Sequence, residues 1–144
     1  MIKENSVDFL LESIKTEQFA IIEENHSLKK KISLNTELEY KINTDERRLG
    51  VFLSFSFVQA KKTFIKIQTS FHFIISEESW KSFIHDKKIK VAKEFASHLI
   101  AIGISSSRGI LHAKTEGTEF NKYFLPLLYV DKLVTNDIVF SLEK

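Results

Sequence analysis

Apolar and polar side chains alternate without a break along "ISLNTELEYKI", residues 32–42. Ile32, Leu34, Thr36, Leu38, Tyr40 and Ile42 fall on one side; Ser33, Asn35, Glu37, Glu39 and Lys41 fall on the other. A period of two over this length predicts a strand with one buried and one wet face. Ile32, Leu34, Leu38 and Tyr40 are therefore expected inside, and Glu37 and Glu39 in water. The pattern recurs twice. Leu49, Val51, Leu53, Phe55 and Phe57 alternate with Gly50, Phe52, Ser54, Ser56 and Val58. Ile65, Ile67, Thr69, Phe71, Phe73 and Ile75 oppose Lys66, Gln68, Ser70 and His72. "NTDERRLG" and "QAKK" supply short turns, so the three strands are expected to pair antiparallel as a meander.

Elsewhere the period changes. Val7, Leu10, Leu11 and Ile14 fall at helical spacing, with Ser6 as cap and Asp8 in the first turn. This predicts a short helix over about 6–15, followed by a strand from Gln18 to Glu24. A long helix is expected from about 88 to 113. Val91, Phe95, Leu99 and Ile102 form its apolar stripe. Ala92, Ala96 and Gly103 form a small-residue stripe that suits close packing on a sheet or on a symmetry-related helix. Residues 78–86 fit a shorter helix or a loop. Ser105-Ser106-Ser107-Arg108-Gly109 should weaken or bend the long helix as a structural joint, because serine competes for backbone hydrogen bonds and glycine is flexible. "GILHAKTEGT" can then resume it until Gly117. The order of elements predicts an α+β domain, one antiparallel sheet of four strands with its helices on one face, spanning 1–144.

Composition narrows the function. The 144 residues are 43% apolar and include 13 Phe against one Met and one Trp, so the fold must house many rings. A net charge of +2 is too small to argue for nucleic acid, and Lys29-Lys30-Lys31, the one basic run, reads as a solvated turn. There is no Cys, which excludes disulfides and thiolate metal sites. No segment approaches the roughly 20 apolar residues of a membrane span. Glu4, Asp8 and Glu12 interrupt the N-terminal apolar stretch, so it does not read as a signal peptide. A cytoplasmic location is the expectation.

Catalytic patterns are missing. Gly103-Ile104-Ser105-Ser106-Ser107 lacks the final glycine of a nucleophile elbow. Four glycines leave no room for a phosphate loop. His26, His72, His85, His98 and His112 show no metal-ligand spacing, and Glu37 and Glu39 share a wet face. The expectation is a protein without catalytic residues, metal or cofactor. "FNKYFLPLLYV" instead concentrates Phe120, Tyr123, Phe124, Leu125, Leu127, Leu128, Tyr129 and Val130 around Pro126, the one proline. Such a run either covers the core or lines an apolar groove or an oligomer surface.

Three stretches, in their order and spacing, resemble the SecB-like protein-export chaperones over roughly residues 17–140. They are "TFIKIQTSFHFII", with Phe64, Gln68 and Phe73; "VAKEFASHLIAIGISSSRG", with Phe95 and Ala96; and "FLPLLYVDKLV", with Pro126, Tyr129, Asp131 and Leu133. The resemblance implies a homotetramer, a dimer of dimers, that holds unfolded polypeptide without ATP and serves protein export. It also implies short terminal helices on one face of the sheet. The client surface would then include Phe120, Tyr123, Phe124, Leu125, Leu127, Leu128, Tyr129 and Leu133. Glu37 and Glu39 on the outer sheet face would dock a partner such as the translocase motor. This chain departs from the family in being slightly basic and in carrying Lys66 where the family's strand has an acid. A relative dedicated to one partner, such as an antitoxin, is the alternative the resemblance allows.

Overall fold

The computed structural model describes residues 2–4 and 7–142. The three alternating segments form β3 (Ser33–Asn43), β4 (Arg48–Gln59) and β5 (Lys62–Ile75), paired as the predicted antiparallel meander. They follow β1 (Ile2–Glu4) and β2 (Val7–Ile21), and the sheet order is β1-β2-β5-β4-β3. The chain therefore crosses from one edge of the sheet to the other between β2 and β3. Central inner-face positions are fully buried: Leu49, Val51, Leu53 and Phe55 of β4, and Ile65, Ile67, Phe71 and Phe73 of β5. At the β3 edge the inward side chains Leu34, Leu38 and Tyr40 are half-buried, and Ile32, just before the strand, is 37% exposed. An edge strand has a neighbour on one side only, so burial there is less than strict alternation suggests. It is still enough to push the Tyr40 phenol up to about 12. Glu37 and Glu39 are exposed.

The N-terminal segment is strand where a helix over 6–15 was expected; Ser6, its expected cap, lies outside the described residues. Register shifts between Leu11 and Ser13 and between Thr16 and Gln18 insert Glu12 and Glu17 as extra residues opposite β5. The inward positions become Val7, Phe9, Leu11, Ile14, Thr16, Phe19 and Ile21. The steps from 7 to 11 to 14 imitate a helical face. Phe9 settles the matter, because its ring packs edge-on against Phe73 at 5.9 Å and Phe95 at 5.3 Å. Leu10 and Ile14, half of the supposed helical stripe, are 46% and 45% exposed.

After β5 come α1 (Glu77–Phe83), β6 (Ile84–His85), β7 (Lys88–Val91), α2 (Lys93–Thr115), α3 (Val130–Leu133) and β8 (Ile138–Ser141). The last strand pairs back on β7, giving a small sheet β6-β7-β8. Residues 88–91, assigned by sequence to the long helix, are strand because β6 and β8 pair on either side of them. Asp86 and Lys87 turn the first pair at φ 46° and 61°. The helix then starts at Lys93. Its N-cap, Ala92, has no side-chain acceptor. Asp137 Oδ1 supplies one instead, accepting the Lys93 N–H at 2.8 Å.

α2 runs unbroken through the three serines. Its inward face is Phe95, Ala96, Leu99, Ile100, Gly103, Ile104, Ser107, Leu111 and Thr115, all buried. Gly103 is where helix and sheet come closest: a Cβ there would lie 2.7 Å from Leu53 Cδ1 and 3.2 Å from Phe71. One turn on, the Ser107 and Thr69 hydroxyls, both fully buried, hydrogen-bond at 2.8 Å. The expected joint is thus a fastening point. Tertiary packing outweighs the low helix propensity of serine, worth only about 0.5 kcal/mol per residue. Ala96 and Gly103 face the subunit's own core, whereas Ala92 is exposed, so the small-residue stripe does not act as one surface. The helix stops where expected, with Gly117 at φ 79°.

Removing one hydroxyl strands the other in a dry core. Ser107→Ala should cost about 1–3 kcal/mol of unfolding free energy, whereas Ser107→Ala combined with Thr69→Val should recover most of that loss. Urea denaturation of the two singles and the double reads this coupling. Losses that simply add would mean the hydroxyls do not interact.

Candidate functional site

The apolar run after α2 is anchored at Phe120 and Leu125 and exposed at Phe124, Leu127 and Tyr129. Thr118 Oγ1 accepts the Phe120 N–H at 3.1 Å, starting a single 3-10 turn over Glu119–Lys122. The turn drives Phe120, 1% exposed, into an aromatic cluster with His26 at 4.9 Å and Phe64 at 6.4 Å. Tyr123 joins the cluster, 5.2 Å from Phe64 and 6.2 Å from Phe57, and its hydroxyl meets His26 Nε2 at 2.6 Å. Part of the Phe excess is housed here. Leu125, 2% exposed, is the second anchor.

Arg108 fixes the stretch beyond. Its Nε donates to the Leu125 carbonyl at 2.9 Å and its Nη2 to the Pro126 carbonyl at 2.8 Å. Proline locks its own φ and biases the residue before it to extended backbone. In an extended chain alternate side chains face opposite ways. With Tyr123 and Leu125 turned inward, Phe124 is left 53% exposed, resting on the His112 ring at 5.8 Å and 18°. Leu127 is 78% and Tyr129 60% exposed. Leu128 and Leu133 are half-buried. Between this strip and α2 lies a shallow groove of about 160 Å³, lined by Ala101, Ile104, Ser105, Arg108, Leu127, Leu128 and Val130.

The eight residues proposed from sequence therefore divide. Phe120 and Leu125 are core, and Tyr123 is largely engaged in the cluster. Phe124, Leu127 and Tyr129 form an accessible apolar strip, flanked by Leu128 and Leu133. Sequence reading missed Arg108, His112 and His26, which respectively hold the strip, support Phe124 and latch Tyr123. A lone arginine after three serines carries no signal of such contacts, since they depend on how the chain folds back.

The outer sheet face is polar and mixed in charge. Glu37 and Glu39 border a small hollow with Phe52, Ser54 and Gln68. Lys41 sits 4.5 Å over the Phe52 ring. Lys66 stands on the same face, opposite Ser56 and Ala20. His72 is held below its ordinary pKa, first by burial and then by Lys15 and Arg48, against the opposing pull of Glu17 and Glu12. A separate cavity of about 490 Å³ lies where α1 meets the start of α2, floored by Val7, Phe83 and Phe95, with Lys90 and Asp137 at its mouth. Asp137 is held below the usual carboxylate range, chiefly by the Lys93 N–H and then by Lys90. Among the described residues no three His, Asp or Glu side chains are grouped to hold a metal, and no helix is long and apolar enough to cross a membrane.

No family model and no curated protein matches this sequence. The fold does have a counterpart of known structure. It is similar to the Mycobacterium tuberculosis SecB-like chaperone solved in complex with a ChAD peptide from the HigA1 antitoxin. The TM-score is 0.51 over 84% of this chain and 91% of that one, at 10% sequence identity. The architecture is therefore SecB-like: four long antiparallel strands carrying one long helix on the inner face, with short helices around it.

Proposed function

We propose that this protein is a polypeptide-binding chaperone that holds non-native chains without nucleotide. The observation that carries the reading is the strip Phe124–Leu127–Tyr129, an exposed apolar surface whose backbone Arg108 bonds at Leu125 and Pro126. Large rings presented at little entropic cost suit non-directional contact with varied sequences. The SecB-like fold supports the reading, because the structural neighbour is itself a chaperone solved with a peptide. No catalytic step and no cofactor is part of this proposal, and a cytoplasmic site of action is its setting.

A client dedicated to this chaperone is favoured over general export. The neighbour's peptide comes from an antitoxin. Here the outer face intersperses Lys41 and Lys66 with Glu37 and Glu39, a poor match for a partner that reads an acidic surface. We also propose self-association into a tetramer. Ala101, Ser105 and Gly109 make an outward row of small residues along α2, spaced at i, i+4, i+8, and this row would admit a helix from another copy.

The client strip and the anchors respond differently to truncation. Phe124→Ala with Tyr129→Ala should weaken client binding by about 1–3 kcal/mol for each ring while the melting temperature stays near that of the parent. Phe120→Ala should instead cost about 3–5 kcal/mol of stability. Suppression of aggregation of several unfolded proteins, with melting curves on the same samples, separates these effects. A stable double variant with undiminished suppression would place the client elsewhere.

Assembly has its own test. A Cβ at Gly109 would meet nothing within 4 Å in its own subunit, and the position is exposed. Gly109→Arg should therefore preserve the fold and lower the mass seen by light scattering. A parent protein that is monomeric at micromolar concentration would remove the tetramer from the account.

A further inference from the structure

We propose that the end of the main sheet bearing Leu28 docks on an anionic lipid surface. Sequence alone marks Lys29-Lys30-Lys31 as a solvated turn. The fold adds two facts. First, the loop is fixed. Gln59, 2% exposed, accepts the Ser27 N–H at 2.9 Å and donates from Nε2 to the carbonyls of Ser27 at 2.7 Å and Lys30 at 2.9 Å. Asn25 Nδ2 donates to the Thr63 carbonyl at 2.8 Å. Second, this ties the loop to the β4–β5 hairpin, where Lys61 and Lys62 lie, so five exposed lysines gather at one pole. None of the five forms an ion pair among the described residues. Glu23 and Glu24, in the 3-10 turn before the loop, are the acids beside them and leave the pole net positive.

The apolar residues select the partner. Leu28 stands 81% exposed at the tip of the loop, the most exposed of the large apolar side chains described, and Ile32, at the end of the loop, is 37% exposed. An acidic protein surface or a nucleic acid would pair with the lysines but leave Leu28 without use. A bilayer interface takes both: the leucine enters the headgroup–acyl boundary while the lysine heads stay among phosphates and carboxylates. His26, two residues before Leu28, packs on Phe120 and Tyr123, so the base of the loop adjoins the buried end of the apolar run. The lysines and Leu28 are none of the residues of the exposed strip Phe124, Leu127 and Tyr129, so the proposal does not rest on the polypeptide-binding reading.

Co-sedimentation of the full chain with vesicles tests it. Vesicles of phosphatidylcholine containing about one-third phosphatidylserine should carry the protein down at low salt and release it at about 0.5 M salt, and pure phosphatidylcholine should not bind it. Lys29→Ala, Lys30→Ala and Lys31→Ala together should weaken binding about a hundredfold, at about fivefold per lysine. Leu28→Ala should weaken it about tenfold. Phe124→Ala with Tyr129→Ala should bind vesicles like the parent. Three results would each overturn the proposal: no sedimentation with the anionic vesicles, equal binding to neutral vesicles, or an unaffected Leu28→Ala with heparin binding as tightly as lipid. The last would mark a general polyanion site.

Discussion

The contact of α2 with the inner face of the sheet governs the rest of the molecule. At Gly103 there is no room for a Cβ beside Leu53 and Phe71, and one turn later Ser107 bonds to Thr69 in a dry interior. These two points set the height and rotation of the helix. Rotation in turn decides what faces out. With Ser107 pinned inward, Arg108 emerges on the flank, where its guanidinium reaches the Leu125 and Pro126 carbonyls. The planar, multi-donor head of arginine suits this fork better than lysine would. The stretch "SSSRG" is thus a junction of three layers: sheet, helix and returning strip.

The strip inherits its exposure from that anchoring. A free apolar segment of this composition would collapse onto the nearest core surface. Phe120 and Leu125 do so, and they thereby fix the backbone on both sides of Phe124. The extended proline segment then leaves Phe124, Leu127 and Tyr129 in water. Lys122 and Lys132 lie 5.5 Å and 5.2 Å over the Tyr123 and Tyr129 rings, so the aromatic faces sit in a mildly cationic border. In the proposed function this is a preorganised apolar ledge rather than a lined cavity, with few polar groups to impose sequence preference on a client.

How much of this was legible in the sequence depended on whether neighbours in the chain were also neighbours in the environment. The meander β3–β4–β5 was legible because each strand keeps an uninterrupted period of two. The N-terminal strand was not, because extra residues at Glu12 and Glu17 convert its period to a false helical one. The small sheet was hidden by its long-range partner: nothing in Lys88–Val91 announces that Ile138–Ser141 will pair with it. The serines misled for a related reason, since their propensity is local and their bond to Thr69 is not. For the candidate site the composition of the 120–133 run marked an apolar segment, and its role toward a client belongs to the proposal. The division into core anchors and exposed strip needed the fold, because Phe120 and Phe124 are chemically identical and differ only in which way they face.

Amide hydrogen exchange, followed with and without a non-native polypeptide, tests the central claim directly. Residues 105–109 should exchange as slowly as the rest of α2 in both states, as part of one helix fastened to the sheet. Residues 124–130 should exchange faster alone and slow down when the polypeptide is added. Exchange at loop rates across 105–109, or new protection that bypasses 124–130, would contradict the account.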